Sequence, residues 1–316
     1  MPQEPEKRLS VEILLREEEI ARQFASALDQ RHLDEQFFYW LPLSVQAWVE
    51  LCRGAEYRNA NRALKLVEKT APLLAEHWPH CDALVSIGCG EGSKDRPLLE
   101  AFAARGHKLA YVAADFSQGL LELALASNRD VAREVRGVKL DVFRDDHLSA
   151  LPPGGRASIY AVLGNTLGAF DPARFPARLR RLLRSEDRVL FDGELFAGEE
   201  TLRGYDNPVN RRFALAPLAG IGISDADGEM RFELRTGTNG VHEVTKYFVA
   251  ARDLQIQAGG RTIAIAVGEK LRMSSSIKYD RRTFKDLIMR GGFRMEHLET
   301  SEDGRFLLAA AAPEQV

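Results

Sequence analysis

The chain has 316 residues, of which 45% are apolar and 28% are charged, so it can bury one large hydrophobic core or two smaller ones. Its 43 Lys and Arg residues nearly balance 46 Asp and Glu residues, and the net charge of −3 argues against a surface dedicated to nucleic acid or anionic lipid. No segment reaches the roughly 18 consecutive apolar residues of a membrane span. Three cysteines without a CxxC pair argue against a disulfide framework or a zinc site. We therefore expect a cytoplasmic protein without a metal site.

The N-terminal region is predicted to be helical. Apolar residues recur at helical spacing from Val11 to Leu28, with charged residues on the opposite face. Two further helical patterns follow, over 44–52 and 61–76.

The pattern changes from Ala83 onward. Short apolar runs (ALVSIG, KLAYVAA, GVKL, RASIYAVL and DRVLFDG) alternate with helical stretches or loops, which predicts a parallel, doubly wound sheet. Between about 196 and 273 this alternation gives way to β-hairpin candidates, which predict an antiparallel insertion. A helix and a hairpin turning at Asp303 and Gly304 end the chain. The predicted fold is α/β, with a Rossmann-like core, a terminal antiparallel hairpin and a second α+β domain.

A glycine-rich turn follows the first of these runs, in VSIGCGEGSK. Gly88 and Gly90 allow the backbone to turn tightly and a ligand to approach the strand end. Asp115 ends the second run, where a carboxylate can accept hydrogen bonds from both ribose hydroxyls, and Asp141 ends the third, within reach of an adenine amino group. A glycine turn can be a simple connection, and an Asp after a strand is commonly a helix cap. The glycine turn, Asp115 and Asp141 each follow one of three successive predicted strands, and together they predict an adenosine ligand.

The groups that are missing narrow the choice of adenosine ligand. Ser93 stands where a dinucleotide fingerprint requires glycine, and no P-loop lysine follows the turn, so a dehydrogenase is the weakest alternative. The turn, the two carboxylates and the terminal hairpin match the core of methyltransferases that use S-adenosyl-L-methionine (SAM) and release S-adenosyl-L-homocysteine (SAH).

Longer motifs support this interpretation, among them SIGCGEGSK, YVAADFS, VLGNTLGAFDPARF, DRVLFDGELFAG and MSSSIKYDRRTF. Through them the chain resembles the histidine-specific SAM-dependent methyltransferase family over roughly residues 35–310. The resemblance implies a SAM-binding core of residues 63–197 and 278–316, and a substrate domain of residues 1–62 and 198–277. The cofactor-binding positions expected on this basis are Tyr39, Gly88, Gly90, Lys94, Asp115, Asp141, Val142 and Gly164.

The same resemblance suggests where the methyl acceptor binds. Expected substrate-binding residues are Tyr57, Asn165, Tyr205, Ser274 and Ser276, and Tyr39 and Asn165 are the candidate catalytic residues. Ala169 stands in place of a family asparagine, and Ser274 in place of the glutamate that engages the histidine ring. Losing that carboxylate removes a charged hydrogen bond worth roughly 1.5–3 kcal/mol. The expected acceptor is therefore a small amino acid or related amine, which is histidine-like without necessarily being histidine.

The sequence leaves two other functions open. One is a methyltransferase that acts on a protein or other macromolecule, and the other is a non-catalytic domain that binds SAM. We expect no nucleic-acid partner, because the net charge is negative and no [DN]-P-P-[YF] strand end is present. We also expect no membrane partner, and either a monomer or a homodimer. Each candidate acceptor residue has an equally simple structural explanation, such as a buried tyrosine bonded to the backbone.

Overall fold

The computed structural model describes residues 9–54, 57–151 and 155–314. Its strands are β1 (Val11–Ile13), β2 (Cys81–Ile87), β3 (Ala110–Asp115), β4 (Glu134–Lys139), β5 (Ala157–Val162), β6 (Arg188–Glu194), β7 (Gly228–Arg235), β8 (Val241–Ala250), β9 (Leu254–Ala258), β10 (Arg261–Ile265), β11 (Lys270–Tyr279), β12 (Phe293–Thr300) and β13 (Phe306–Pro313). Its α-helices are α1 (Glu17–Asp29), α2 (Pro42–Arg53), α3 (Arg58–His77), α4 (Arg96–Ala104), α5 (Gln118–Asn128), α6 (Asp145–Ser149), α7 (Phe175–Arg180), α8 (Glu199–Tyr205), α9 (Pro208–Ala219) and α10 (Arg281–Arg290).

The large sheet contains eight strands in the order β1-β4-β3-β2-β5-β6-β13-β12. Strands β1 to β6 are parallel, and β13 lies antiparallel between β6 and β12. Strands β3 and β5 are buried along their whole length, as expected for a parallel sheet that is covered on both faces. The predicted α/β fold with an antiparallel hairpin at one edge is confirmed.

The start of the chain differs from the helix predicted to begin at Val11. Val11–Ile13 is a strand that pairs with β4, and the Gly137 amide donates to the Ser10 carbonyl at 2.8 Å. This pairing satisfies the backbone groups of the sheet edge. Helix α1 begins only at Glu17, where three consecutive glutamates favour a helix N-terminus. The predicted helices over 44–52 and 61–76 are confirmed as parts of α2 and α3.

The predicted antiparallel insertion is confirmed, and two helices precede it. Strands β11, β8 and β7 form a three-stranded antiparallel sheet, and β9 and β10 form a separate hairpin. The helices α8 and α9 were not predicted, because the glycines, asparagines and proline there resemble loop residues. Asn207 instead caps α9 by accepting a hydrogen bond from the Asn210 amide at 3.0 Å, and Pro208 occupies the first turn.

A β-bulge interrupts β11 in the middle of its pairing with β8. Arg272 lies opposite Tyr247 and Ser274 lies opposite Lys246, so Met273 is one extra residue on β11. Ser274 itself has a φ of 133°, which is unusual for a residue with a side chain.

Three apolar clusters form the core. Successive residues of the parallel strands face opposite sides of the large sheet, so Leu84 and Val85 of β2 belong to different clusters, one on each face. The third cluster joins α1 and α9 to the antiparallel strands, through residues such as Phe24, Phe213 and Phe248. The candidate site lies between this third cluster and the carboxyl ends of the parallel strands. The division into two domains at the boundaries given above stays a prediction.

Candidate functional site

A cavity of about 110 Å³ lies beside the carboxyl ends of β2, β3 and β5. Ligands of doubly wound sheets bind at the carboxyl ends of the strands. The cavity brings together most of the residues singled out in the sequence, namely Tyr39, Tyr57, Gly88, Gly90, Lys94, Asp115, Gly164, Asn165, Tyr205 and Ser276. Ala169 lines it as well.

The glycine turn after β2 forms one wall of the cavity. Gly88 and Gly90 have φ values of 68° and 57°, in the left-handed region that glycine adopts without strain. A Cβ atom on Gly88 would lie 2.8 Å from Cγ2 of Thr166, and one on Gly90 would lie 3.8 Å from Nε1 of Trp48. The turn is therefore packed between the loop after β5 and helix α2, with little room for a side chain at Gly88.

Asp115 lies at the end of β3, next to this turn. Its Oδ2 accepts a hydrogen bond from the Gly90 amide at 3.0 Å, and its Oδ1 accepts one from the Ser117 amide at 2.9 Å. Burial raises the pKa of Asp115 to about 6, and these backbone donors offset part of the rise. Oδ2 also accepts from the Cys89 thiol at 3.9 Å, and Oδ1 keeps a lone pair for a further donor.

Lys94 crosses beneath Gly164 on its way to the cavity. Its side chain is buried, and its Nζ makes no hydrogen bond with the part of the chain that the structure describes. Gly164 has a φ of 80°, and a Cβ atom there would lie 2.8 Å from Cε of Lys94. Glycine at this position is therefore needed both for the backbone conformation and for the path of the lysine.

Asn165 connects the loop after β5 to two neighbouring strands. It has a φ of 62°, and its backbone amide donates to Oδ1 of Asp192 at 2.7 Å. Its side-chain Oδ1 accepts from the Glu194 amide, and its Nδ2 donates to Oγ of Ser276, both at 3.0 Å. These bonds hold Asn165 between β6 and β11.

Asp192 on β6 accepts hydrogen bonds from two amides of the loop after β5, and it was missed in the sequence. Its second oxygen accepts from the Gly164 amide at 2.7 Å. Burial raises the pKa of Asp192 to about 7, although both amide hydrogen bonds favour the carboxylate. The position at the end of a predicted strand, in FDGE, was the available signal.

A buried ion pair lies behind Tyr205 and Ser276. Lys278 is fully buried, and its Nζ lies 3.0 Å from Oε2 of Glu194 and donates to Oγ of Ser276 at 2.6 Å. The same Glu194 oxygen accepts from Tyr205 at 2.9 Å and from Asn59 at 2.7 Å. This network fixes Tyr205 and Ser276, and neither charged residue was predicted.

A second pair of charges, Glu35 and Lys246, also lines the cavity and was missed in the sequence. The hydroxyl of Tyr39 donates to Oε1 of Glu35 at 3.0 Å, and Oε2 of Glu35 lies 3.7 Å from Nζ of Lys246. Burial and the neighbouring Glu35 carboxylate raise the pKa of Tyr39 well above its usual value. Tyr39 is therefore a neutral phenol at physiological pH.

Three of the predicted site residues do not line this cavity. Asp141 is buried, its Oδ1 accepts from the Phe143 amide at 2.8 Å, and its own amide donates to Nδ1 of His147. Val142 packs against the apolar cluster on one face of the sheet. Ser274 lines a neighbouring cavity of about 230 Å³, which shares Glu35 and Ala169 with the first. The Oγ of Ser274 is buried without a hydrogen bond.

The described residues contain neither a metal-binding cluster nor a membrane-spanning helix. Within residues 9–54, 57–151 and 155–314, no three His, Cys, Asp or Glu side chains are grouped so that they could hold a metal ion. Over the same ranges, no helix combines the length and the apolar character needed to cross a bilayer.

Comparison with known proteins identifies the family. Residues 17–313 match the model of the family described as histidine-specific methyltransferase, SAM-dependent. The chain is 27% identical over 287 residues to histidine N-alpha-methyltransferase of Mycobacterium tuberculosis, which covers 86% of this chain and 83% of the relative. It is 24% identical over 270 residues to N-methyltransferase fsqC of Aspergillus fumigatus, with coverage of 80% and 72%.

Solved structures with a similar fold are more distant in sequence. One is magnesium protoporphyrin IX methyltransferase from Synechocystis with bound SAH, at a TM-score of 0.48 and 11% identity, covering 92% of this chain and all of that one. Another is a SAM-dependent methyltransferase from Clostridium acetobutylicum, at a TM-score of 0.45 and 12% identity, with coverage of 82% and 96%. Since the family model spans nearly the whole chain, this protein belongs to the histidine-specific, SAM-dependent methyltransferase family.

Proposed function

We propose that this chain transfers a methyl group from SAM to the amine nitrogen of a small amino acid or related amine. The observation that carries the proposal is the composition of one cavity. The glycine turn, Lys94 and Asp115 line it together with Tyr39, Asn165, Tyr205 and Ser276. Because these polar groups are buried, they favour a small acceptor over a protein or other macromolecule.

The residues beside the glycine turn fit SAM. Gly88 and Gly90 line the cavity without side chains, and Lys94 offers an unpaired ammonium to a carboxylate. Asp115 offers Oδ1 to one ribose hydroxyl, and Oδ2 to the other when the Cys89 thiol donates instead to the Gly90 carbonyl, 3.4 Å away. We infer that Gly90 and Gly164 line the methionine part, and that Asp141 and Val142 serve the adenine from outside the described cavity.

SAM supplies an activated methyl group that transfers by in-line displacement, so the acceptor nitrogen must be unprotonated and aligned with it. Because the Tyr39 hydroxyl donates its hydrogen bond to Glu35, its oxygen is free to accept a hydrogen bond from an acceptor amine. Its raised pKa excludes a phenolate, so Tyr39 orients the amine and relays a proton toward Glu35.

We assign the acceptor side to Tyr57, Tyr205, Asn165 and Ser276, with Ser274 reached through the neighbouring cavity. Most of these residues fall in the proposed substrate domain of residues 1–62 and 198–277, although Val11–Ile13 pairs with the large sheet. We further propose a cytoplasmic protein that acts as a monomer or homodimer. The free thiols of Cys52, Cys81 and Cys89 are consistent with a reducing compartment.

Calorimetric titration with SAM and SAH, followed by mass spectrometry of L-histidine and other small amino acids incubated with SAM, tests the proposal. We expect SAH binding and a mass gain of one or more methyl groups on an amine. Lys94→Met should weaken SAH binding at least tenfold, whereas Lys108→Met, on an exposed lysine far from the cavity, should not change it. Cofactor binding without methylation of any amine would favour a non-catalytic SAM-binding domain, and absence of SAH binding would refute the proposal.

A further inference from the structure

The ammonium group of Lys246 on β8 is buried and has no hydrogen-bond partner among the described residues. The side chain is 4% exposed, and its Nζ lies 4.7 Å and 5.3 Å from the ring centres of Phe38 and Phe213. Within the described residues, Nζ makes no hydrogen bond, and its carboxylate neighbour Glu35 is 3.7 Å away. Aromatic faces stabilise a cation but do not satisfy its three N–H donors.

The second buried lysine of the site shows what a complete set of partners looks like here. Lys278 has a carboxylate oxygen at 3.0 Å and a serine hydroxyl at 2.6 Å. Lys246 has neither at hydrogen-bond distance, and Ser274, opposite it on β11, adds no charge. Burying an ammonium without hydrogen bonds costs free energy. We therefore expect a ligand in the cavity that Lys246 lines to accept hydrogen bonds from it.

The balance of charge in the cavity indicates the sign of that ligand. Its charged lining residues are two cations, Lys94 and Lys246, and two anions, Glu35 and Asp115, so the wall is neutral. SAM brings one net positive charge, because its ammonium and carboxylate cancel and its sulfonium remains. A simple amine reacts as the neutral base and leaves that charge uncompensated. An amino acid with a neutral amine carries one negative charge and compensates it.

We propose that Lys246 binds a carboxylate group of the methyl acceptor, which makes the acceptor an amino acid and excludes amines without a carboxylate. This assignment rests on the proposed function and narrows its substrate class. The carboxylate can be the α-carboxylate or one on the side chain, since both offer the same charged hydrogen bond. Glu35 then balances Lys246 while the site is empty and keeps its bond to Tyr39 during transfer.

The test compares acceptors that differ only in a carboxylate. Dissociation constants are measured by calorimetry on the SAH-bound protein for L-histidine and histamine, L-tyrosine and tyramine, and L-glutamate and L-glutamine. We expect the carboxylate-bearing member of at least one pair to bind more tightly by tenfold or more. A preference in the first two pairs assigns the α-carboxylate, and a preference in the third assigns a side-chain carboxylate.

The variants Lys246→Met and Lys246→Arg connect the preference to this residue. Lys246→Met should abolish the preference and leave SAH affinity within about twofold, and Lys246→Arg should keep most of it. Lys270→Met is the matched control, since Lys270 belongs to the same antiparallel sheet but is half exposed and pairs with Glu233 at 3.1 Å. Retention of the preference in Lys246→Met would overturn the assignment.

The two proposals fail in different ways. If amino acids and their decarboxylated amines are methylated equally well, the proposed function stands and the role of Lys246 is wrong. If SAH binds but nothing in the panel binds or is methylated, both are wrong. Unaltered SAH binding in Lys246→Met separates a lost acceptor contact from a misfolded variant.

Discussion

The pKa of Asp115 places its titration within an accessible range of pH. Burial raises that pKa to about 6, and ribose hydroxyls would donate to the ionised carboxylate. Below pH 6 the proton must leave before these bonds form, so the affinity for SAH should fall by up to about tenfold per pH unit. Calorimetry between pH 5 and 8 measures this dependence. Asp115→Asn should bind weakly with a flat profile, and a slope that survives in this variant would contradict the assignment.

Two glycines with similar φ values separate backbone strain from steric collision. Gly164 and Gly106 have φ values of 80° and 82°, but a Cβ atom on Gly164 would lie 2.8 Å from Lys94, whereas one on Gly106 would meet open space. Both alanine variants should lose about 1–2 kcal/mol from left-handed strain. Only Gly164→Ala should also weaken SAH binding, because the end of the Lys94 side chain must move away from the new Cβ atom. Urea unfolding and calorimetry check this, and equal effects of the two substitutions would refute it.

At the scale of residues, the sequence revealed the groups that carry family motifs and missed those that complete the site. Asp115 and Gly88 could be predicted because they stand at the ends of apolar runs. Glu35 and Lys246 lie outside every quoted motif, and only the tertiary fold brings them to the cavity. Lys278 lies within MSSSIKYDRRTF, but nothing in that motif indicates its partner Glu194. One signal was available for Lys246, because Val244 and Phe248 share its face of β8 and are apolar.

Among the connections between elements, the buried pair of Lys278 on β11 and Glu194 on β6 is the most sensitive to change. Removing one partner leaves a buried charge uncompensated, so Lys278→Met should lower the free energy of unfolding by about 3–5 kcal/mol. Lys278→Met/Glu194→Leu should recover part of this loss. Lys69→Met removes the exposed pair with Glu299 and should cost less than about 1 kcal/mol. Urea unfolding provides the values, and a loss for Lys278→Met as small as that for Lys69→Met would rule out this role for the pair.

At the scale of elements, periodicity predicted the long regular segments and failed at short ones. The parallel strands and α10 have patterns long enough to identify. Strand β1 has three residues, too few for period-two alternation to be distinguished from the helical pattern that follows. Helices α8 and α9 contain or follow residues that favour turns, and their stability comes from packing that the local sequence does not display.

At the scale of the whole molecule, the cavity lies where the two sheets are joined. Asn165 bonds to Ser276, and the Phe196 amide donates to the Tyr279 carbonyl at 2.9 Å, so both sheets bear on one ligand site. Because SAH binds only the folded state, SAH at one hundred times its dissociation constant should add about 2.7 kcal/mol to the free energy of unfolding. It should slow amide hydrogen exchange in both β2 and β11. Protection limited to β2 would contradict this coupling, and Asp115→Asn at the same SAH concentration is the control.

The bulge at Met273 has a consequence for how such a site can change over evolutionary time. Side chains alternate along a strand, so a change of one residue in its length turns everything beyond it to the other face. Deleting Ser275 would turn Ser276 and Lys278 away from Asn165 and Glu194, or else force Lys270–Ser274 out of register with β8. Deleting Met273 would keep the pairs on both sides, because Arg272 and Ser274 lie opposite adjacent residues of β8. The bulge is thus the position at which this strand can change in length, and elsewhere along it a lineage can acquire a new acceptor only by exchanging one side chain for another.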